Sequence, residues 1–177
     1  MPAFLSKLAR GRVRDRLHSS TDGLNAQFAS LASGSGVEDI PVIDWQPEAR
    51  QFFESNISFD DVVDSDNPVS PCVFLYTERT ENLNRVKFSR FAGQVSIVVD
   101  VVVEFPDNQA GNGFENLADF IEEALIRCLN DPAWSEVQTG GVAYNGAIST
   151  ERTAAERSGQ NWRQVITARL TFEVTAS

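Results

Sequence analysis

Three features of this 177-residue sequence predict an α+β fold: a mostly antiparallel sheet of four to five strands, packed by an amphipathic helix and preceded by a helical arm. The first is one clean helical stripe in mid-chain, "GFENLADFIEEALIRCLN" (113–130). The second is a pair of long alternating runs, "GQVSIVVDVVVEF" (93–105) before that helix and "NWRQVITARLTFEV" (161–174) after it. The third is that the strand-like runs come two by two around short polar stretches, so each pair reads as a hairpin and the helix as a single crossover.

At the N-terminus, Phe4, Leu5, Leu8, Val13 and Leu17 fall at roughly helical spacing, with arginines mainly between them and Gly11 as a weak point. A second short helix is expected in "STDGLNAQFASLA" (20–32), where Leu24, Phe28 and Leu31 are spaced by four and three. "SGSG" (33–36) then reads as a flexible break, separating a basic helical arm (1–36) from a single domain (37–177). "DIPVIDWQPEARQFFESN" (39–56) suggests one short strand and a helix entered at Pro47. "DDVVDSDNPVSP" (60–71) reads as an acidic, turn-rich loop.

The strand run "CVFLYTERT" (72–80) leads through the polar turn "ENLN" into the chain's longest β signal, 85–105. There Val95, Ile97, Val99, Val101, Val103 and Phe105 share one side, while the other mixes Gln94, Ser96, Val98, Asp100, Val102 and Glu104. Asn112 followed by Glu115 resembles a capping box at the start of the central helix. Phe114, Leu117, Phe120, Ile121, Leu125 and Cys128 form that helix's apolar stripe, and Glu115, Asp119, Glu122 and Glu123 its wet face. "GGVAYNGAIST" (140–150) reads as a strand with a bulge at Gly146. "TERTAAERSGQ" (150–160) is then a hairpin tip or an extended loop. In the last run Arg163, Thr167, Arg169, Thr171 and Glu173 line the side opposite the apolar one.

Charge narrows the function classes. The formal net charge is −10, yet residues 1–18 carry Lys7, Arg10, Arg12, Arg14 and Arg16 against the single acid Asp15. A body this acidic repels phosphate on average and argues against a general nucleic-acid binder. No apolar run approaches the ~18 residues of a membrane span. The N-terminus lacks the apolar block of a signal peptide, although its arginines share the character of a transit peptide. Cys72 and Cys128 are expected as buried, unbridged thiols.

Catalytic patterns are thin. His18 is the only histidine, expected as a solvated residue of the arm, and no zinc spacing exists around it. Asp60, Asp61, Asp64 and Asp66 cluster without the glycine and distal glutamate of a calcium loop. "GNG" (111–113) lacks the third glycine of a dinucleotide fingerprint. Trp45, Trp134 and Trp162 read as core or interface anchors. No catalytic residue, metal ligand or cofactor is expected.

The succession of an N-terminal helix, "CVFLYTER", "GQVSIVVDVVVEF", "FENLADFIEEALIRCL", "GGVAYNGAIST", a charged loop and "NWRQVITARLTFEV" resembles the tail terminator and tail-completion proteins of long-tailed bacteriophages. The resemblance spans about residues 70–175 and rests on the order and character of the elements. It implies a non-enzymatic virion structural protein, assembled in the host cytoplasm. Such a protein forms a homohexameric ring on the head-proximal end of the tail tube, in head–tail joining. The implied partners are further copies, the tail tube protein and neck or connector proteins, with DNA passing through unbound and no membrane involved.

Head-completion and neck connector subunits share this size and composition and stand as the alternative. From a different class, a small acidic ligand-binding or enzymatic α+β domain is also compatible. In a head-to-tail ring, Arg163 and Arg169 are candidates to meet Asp100 or Glu104 of a neighbour, with pairing inside the sheet as the other reading. Phe4, Leu5 and Leu8, interleaved with Arg10, Arg12 and Arg14, are candidates to dock the arm onto an acidic partner. A membrane surface is the competing account.

Overall fold

A computed structural model of the chain describes residues 5–35, 37, 39–56, 69–82, 91–106, 112–135 and 140–176. Its elements run α1 (Leu5–Leu17), α2 (Leu24–Leu31), a 3₁₀ turn (Pro47–Ala49), β1 (Phe52–Phe53), β2 (Cys72–Asn82), β3 (Phe91–Pro106), α3 (Asn112–Leu129), α4 (Pro132–Ser135), β4 (Val142–Arg152), β5 (Glu156–Ser158) and β6 (Asn161–Ala176). The fold is α+β, as the sequence predicts. The sheet has six strands among the described residues: β1 falls in the 39–56 stretch where one short strand is expected, and β5 is too short to leave an alternating signal.

The strands are ordered β1-β2-β3-β6-β4, with β5 also on β6, and only the β1–β2 pairing is parallel. β3 and β4 both lie antiparallel to β6, so they run parallel to each other with β6 inserted between them. Helix α3 connects them, giving a split β–α–β unit. The spine is the β3–β6 pair, sixteen residues each, in register without a shift from Phe91↔Ala176 to Pro106↔Asn161. At ~3.3 Å per residue it is about 50 Å long.

Alternation decides which side chains meet the helices. Val95, Ile97, Val99, Val101 and Val103 of β3 join Ile166, Ala168, Leu170, Phe172 and Val174 of β6 in one buried layer. Phe120, Ile121, Leu125, Cys128 and Leu129 of α3 pack onto that layer. The bulge expected at Gly146 is present: its φ is 77°, and the β4–β6 register shifts between Tyr144 and Ile148. The helix expected at Pro47 is a single 3₁₀ turn, closed by Arg50 with φ 57° and its N–H donating to the Pro47 carbonyl.

The arm is where structure and expectation part. Leu5, Ala9, Val13 and Leu17 of α1 and Leu24 and Phe28 of α2 are buried in the same core as the sheet. The face that packs follows i, i+4 spacing through Ala9 and omits Leu8, which is 44% exposed. Burying a side chain of this kind contributes about 1.5–3 kcal/mol, so a continuous stripe holds the helix on the sheet. Phe4 and the acids Asp60, Asp61, Asp64 and Asp66 lie outside the described residues. Among the described residues no helix is long and apolar enough to cross a membrane. Cys72 and Cys128 are buried free thiols, as expected, and burial pushes each thiol up to about 12.

Candidate functional site

The face of the sheet turned away from the helices carries the four residues expected at a subunit seam. Register fixes their neighbours. Arg163 stands directly opposite Glu104, and the pair closes within the chain at 3.0 Å, with side chains only 15% and 22% exposed. Arg169 lies opposite Val98 and reaches Glu151 of β4 at 2.7 Å and Glu78 of β2 at 3.4 Å. Asp100 meets no arginine among the described residues. One of its oxygens accepts from Thr167 Oγ1 at 2.6 Å and the other from Tyr76 Oη at 2.9 Å. Burial, then the Asp100 carboxylate, holds the Tyr76 phenol above its ordinary value, so it remains a neutral donor. Of the two readings of the arginine side, pairing inside the sheet is the one this chain displays.

Beneath these polar groups, Cys72, Phe74 and Val102 form a small buried cluster with Phe53, Tyr76 and Val165 against it. The face therefore alternates an apolar floor with charge pairs. The more exposed pairs each contribute about 0–1 kcal/mol, and the half-buried Arg163–Glu104 pair fixes the β3–β6 register more firmly.

Of the residues expected to dock the arm onto a partner, Leu5, Arg10, Arg12 and Arg14 instead hold α1 on its own body, while Leu8 stays exposed. Leu5 is in the core. Arg10 and Arg14 share Glu54, at 3.1 and 3.2 Å, and Arg14 also pairs with Asp15. Arg12 donates to the carbonyls of Val142 (3.0 Å) and Trp134 (3.1 Å). Its guanidinium lies 5.7 Å from the Trp134 ring centre and 5.8 Å from that of Phe172. The reason is geometric: the arginines flank the buried stripe, and their long stems carry the charge to carbonyls and carboxylates at its margin.

Two charged positions, Arg16 and Arg152, escaped sequence reasoning. Arg16, next to Leu17 on the packed stripe, is almost wholly buried and bonds the Cys128 carbonyl and Asp131, each at 2.7 Å. Arg152 gathers Asp119 and Glu122 of α3, with Glu115 at 3.8 Å. Parity signals this, because beyond the bulge Ile148, Thr150 and Arg152 point toward the helices. Thr150 Oγ1 donates to Glu122 as well. Three of the four acids expected to be simply wet are thus tied to β4.

His18, expected as a solvated residue, stacks on Trp45 at 4.2 Å and meets the edge of Phe52 at 4.7 Å, with its Nε2 buried and without a hydrogen-bond partner among the described residues. Burial first, then Arg14, lower its pKa, while Asp15 and Glu54 pull the other way. A stacked indole favours a cation, but a desolvated N–H⁺ with no acceptor costs more, so the neutral ring wins. The folded state therefore takes up this proton less readily than the unfolded chain. The stabilising difference is complete above the ordinary value near 6.5 and is lost as pH falls below it. In urea titrations between pH 7.5 and 5.5, the stability of wild type is expected to decline with a slope below about 1.4 kcal/mol per pH unit. His18→Phe should flatten that decline, and an unchanged slope would assign it to other groups.

Among the described residues no three His, Cys, Asp or Glu side chains converge where a metal ion would be held. Comparison with known proteins finds no matching family model and no matching curated sequence.

Proposed function

We propose that this chain is a structural assembly protein: a tail terminator that forms a ring on the head-proximal end of a phage tail tube and joins tail to neck. The reading rests on the order of elements. A buried N-terminal helix, a long antiparallel pair, one crossover helix and a second hairpin interleave as β2-β3-β6-β4. The observation that supports it best is the unshifted β3–β6 spine, about 50 Å of strand whose far face bears Arg163, Arg169, Asp100 and Glu104 over an apolar floor. A face of that kind suits a seam between subunits, where exposed pairs exchange partners at little cost and set register. The ring would be of six copies, without catalysis or cofactor. It would take its place in the virion after assembly in the host cytoplasm, with the tail tube and neck proteins on either side and DNA passing through unbound.

Negative-stain imaging and light scattering of the purified protein, alone and with tail tubes, test this. Rings, or capped tube ends, are expected. A protein that stays monomeric at high concentration and binds neither tubes nor neck components would overturn the reading. Arg169→Glu is the sharper variant, because its pairs are exposed and the monomer should lose under about 1 kcal/mol. Assembly should fall well before folding does. Arg163→Glu is less diagnostic, since it sets two carboxylates opposite each other across β3 and β6 and weakens the monomer itself.

A further inference from the structure

The outward side of α1 carries a glycine that no packing contact among the described residues requires. Gly11 lies mid-helix, where glycine is less favourable than alanine, and a methyl group built on it meets nothing within 4 Å. No packing among the described residues calls for it. It sits on a groove of about 490 Å³ whose walls include Lys7, Leu8, Arg14 and Glu54. Leu8 is one of three large apolar side chains left exposed among the described residues. Lys7 makes no ion pair among them. A glycine beside an exposed leucine and an unpaired lysine lets another backbone come close, with apolar and cationic contacts ready.

The opposite character appears on another part of the same molecule. Between the end of α2 and the outward side of α3 lies a cavity of about 320 Å³, lined by Leu31, Gly34, Asn116, Asp119, Phe120 and Glu123. Asp119 is 68% and Glu123 48% exposed, and although Arg152 and Arg127 pair with them, the acids Glu115, Asp119, Glu122 and Glu123 outnumber these two arginines on this face. The aliphatic part of that cavity suits Leu8, and its carboxylates suit Lys7. We propose that the α1 face around Gly11 docks onto the α3 face around Asp119 and Glu123 of a second copy of this chain. The two patches differ, so the contact is head-to-tail and leads to a ring or an open chain. Only its closure into a ring rests on the terminator reading.

Sedimentation velocity over a concentration series tests the contact in the full-length protein. Gly11→Ala should raise the melting temperature of the monomer while weakening self-association about tenfold, the equivalent of ~1.4 kcal/mol. A glycine serving only the monomer would not separate those two readouts. Lys7→Glu should weaken association similarly, and combining it with Glu123→Lys should restore most of the loss. If Gly11→Ala and Lys7→Glu associate like wild type, or the exchanged pair fails to recover, the contact is elsewhere. Wild type that remains monomeric throughout overturns it too. Self-association without tube binding would support the contact and sink the terminator reading, whereas rings indifferent to these variants would do the reverse.

Discussion

Phe172→Ala should lower the stability of the monomer by about 4 kcal/mol, among the largest losses any single truncation in this chain can produce. Phe172 is fully buried on β6, at the point where three other elements converge. Tyr144 of β4 packs at 5.1 Å, Trp134 of α4 meets it edge-on at 6.3 Å, and Arg12 of α1 lies 5.8 Å above its ring. Truncation removes the transfer energy of the ring, leaves a cavity and takes away one of the two aromatic faces beneath Arg12. One compensation is available. The Tyr144 hydroxyl is buried without a hydrogen-bond partner among the described residues, and a water entering the cavity would supply one. That keeps the cost from reaching the top of its range. Phe172→Leu retains most of the volume and should cost about 1–1.5 kcal/mol. Urea titration at constant pH measures both, and a loss below about 1.5 kcal/mol for the alanine variant would mean the aromatic cluster is not a fixed part of the core.

How much of this was legible in the sequence depended on whether a residue's role followed from local period. β3, β6 and α3 announce themselves because alternation or a helical stripe persists over more than a dozen residues, and Gly146 marks the bulge because only glycine enters that backbone region easily. α1 was legible as a helix but not as core. Its packed face runs through Ala9, whose small side chain barely registers as apolar, whereas the conspicuous Leu8 faces away.

The candidate seam was legible only as a row of charges. Arg163 and Glu104 are 59 positions apart, and their pairing follows only once the β3–β6 register is known. Arg152 was obscured by its polar neighbours: the parity of Val142 and Tyr144 carries through the bulge to Ile148, Thr150 and Arg152, but the charged run around Arg152 reads as a hairpin tip or loop. Charge identity shows that a residue will seek a partner, but topology chooses which one.

Arg16 illustrates that choice at the highest stake, and Arg16→Ala should cost about 3 kcal/mol. Its Nε–H donates to the carbonyl of Cys128, one of the last carbonyls of α3 and so one without a partner inside the helix. A cation at that end also meets the negative pole of the helix. Nη2 donates to Asp131 Oδ2, whose sister oxygen accepts the Ala133 N–H in the first turn of α4. Asp22, in the α1–α2 connection, completes the cluster at 3.4 Å. One guanidinium therefore joins α1, the end of α3 and the start of α4.

Removing it strands a buried carbonyl and a carboxylate that is only 31% exposed, which is why the loss should exceed that of any surface pair. Arg16→Met separates the contributions, because it keeps the stem's packing and deletes only the fork. If the fork dominates, Arg16→Met should resemble Arg16→Ala within about 1 kcal/mol. The effect should also change little between 0.05 and ~0.5 M salt, since a buried pair is weakly screened. A loss under about 1 kcal/mol, or one that salt abolishes, would make Arg16 an ordinary surface cation and α1 a loosely held helix after all.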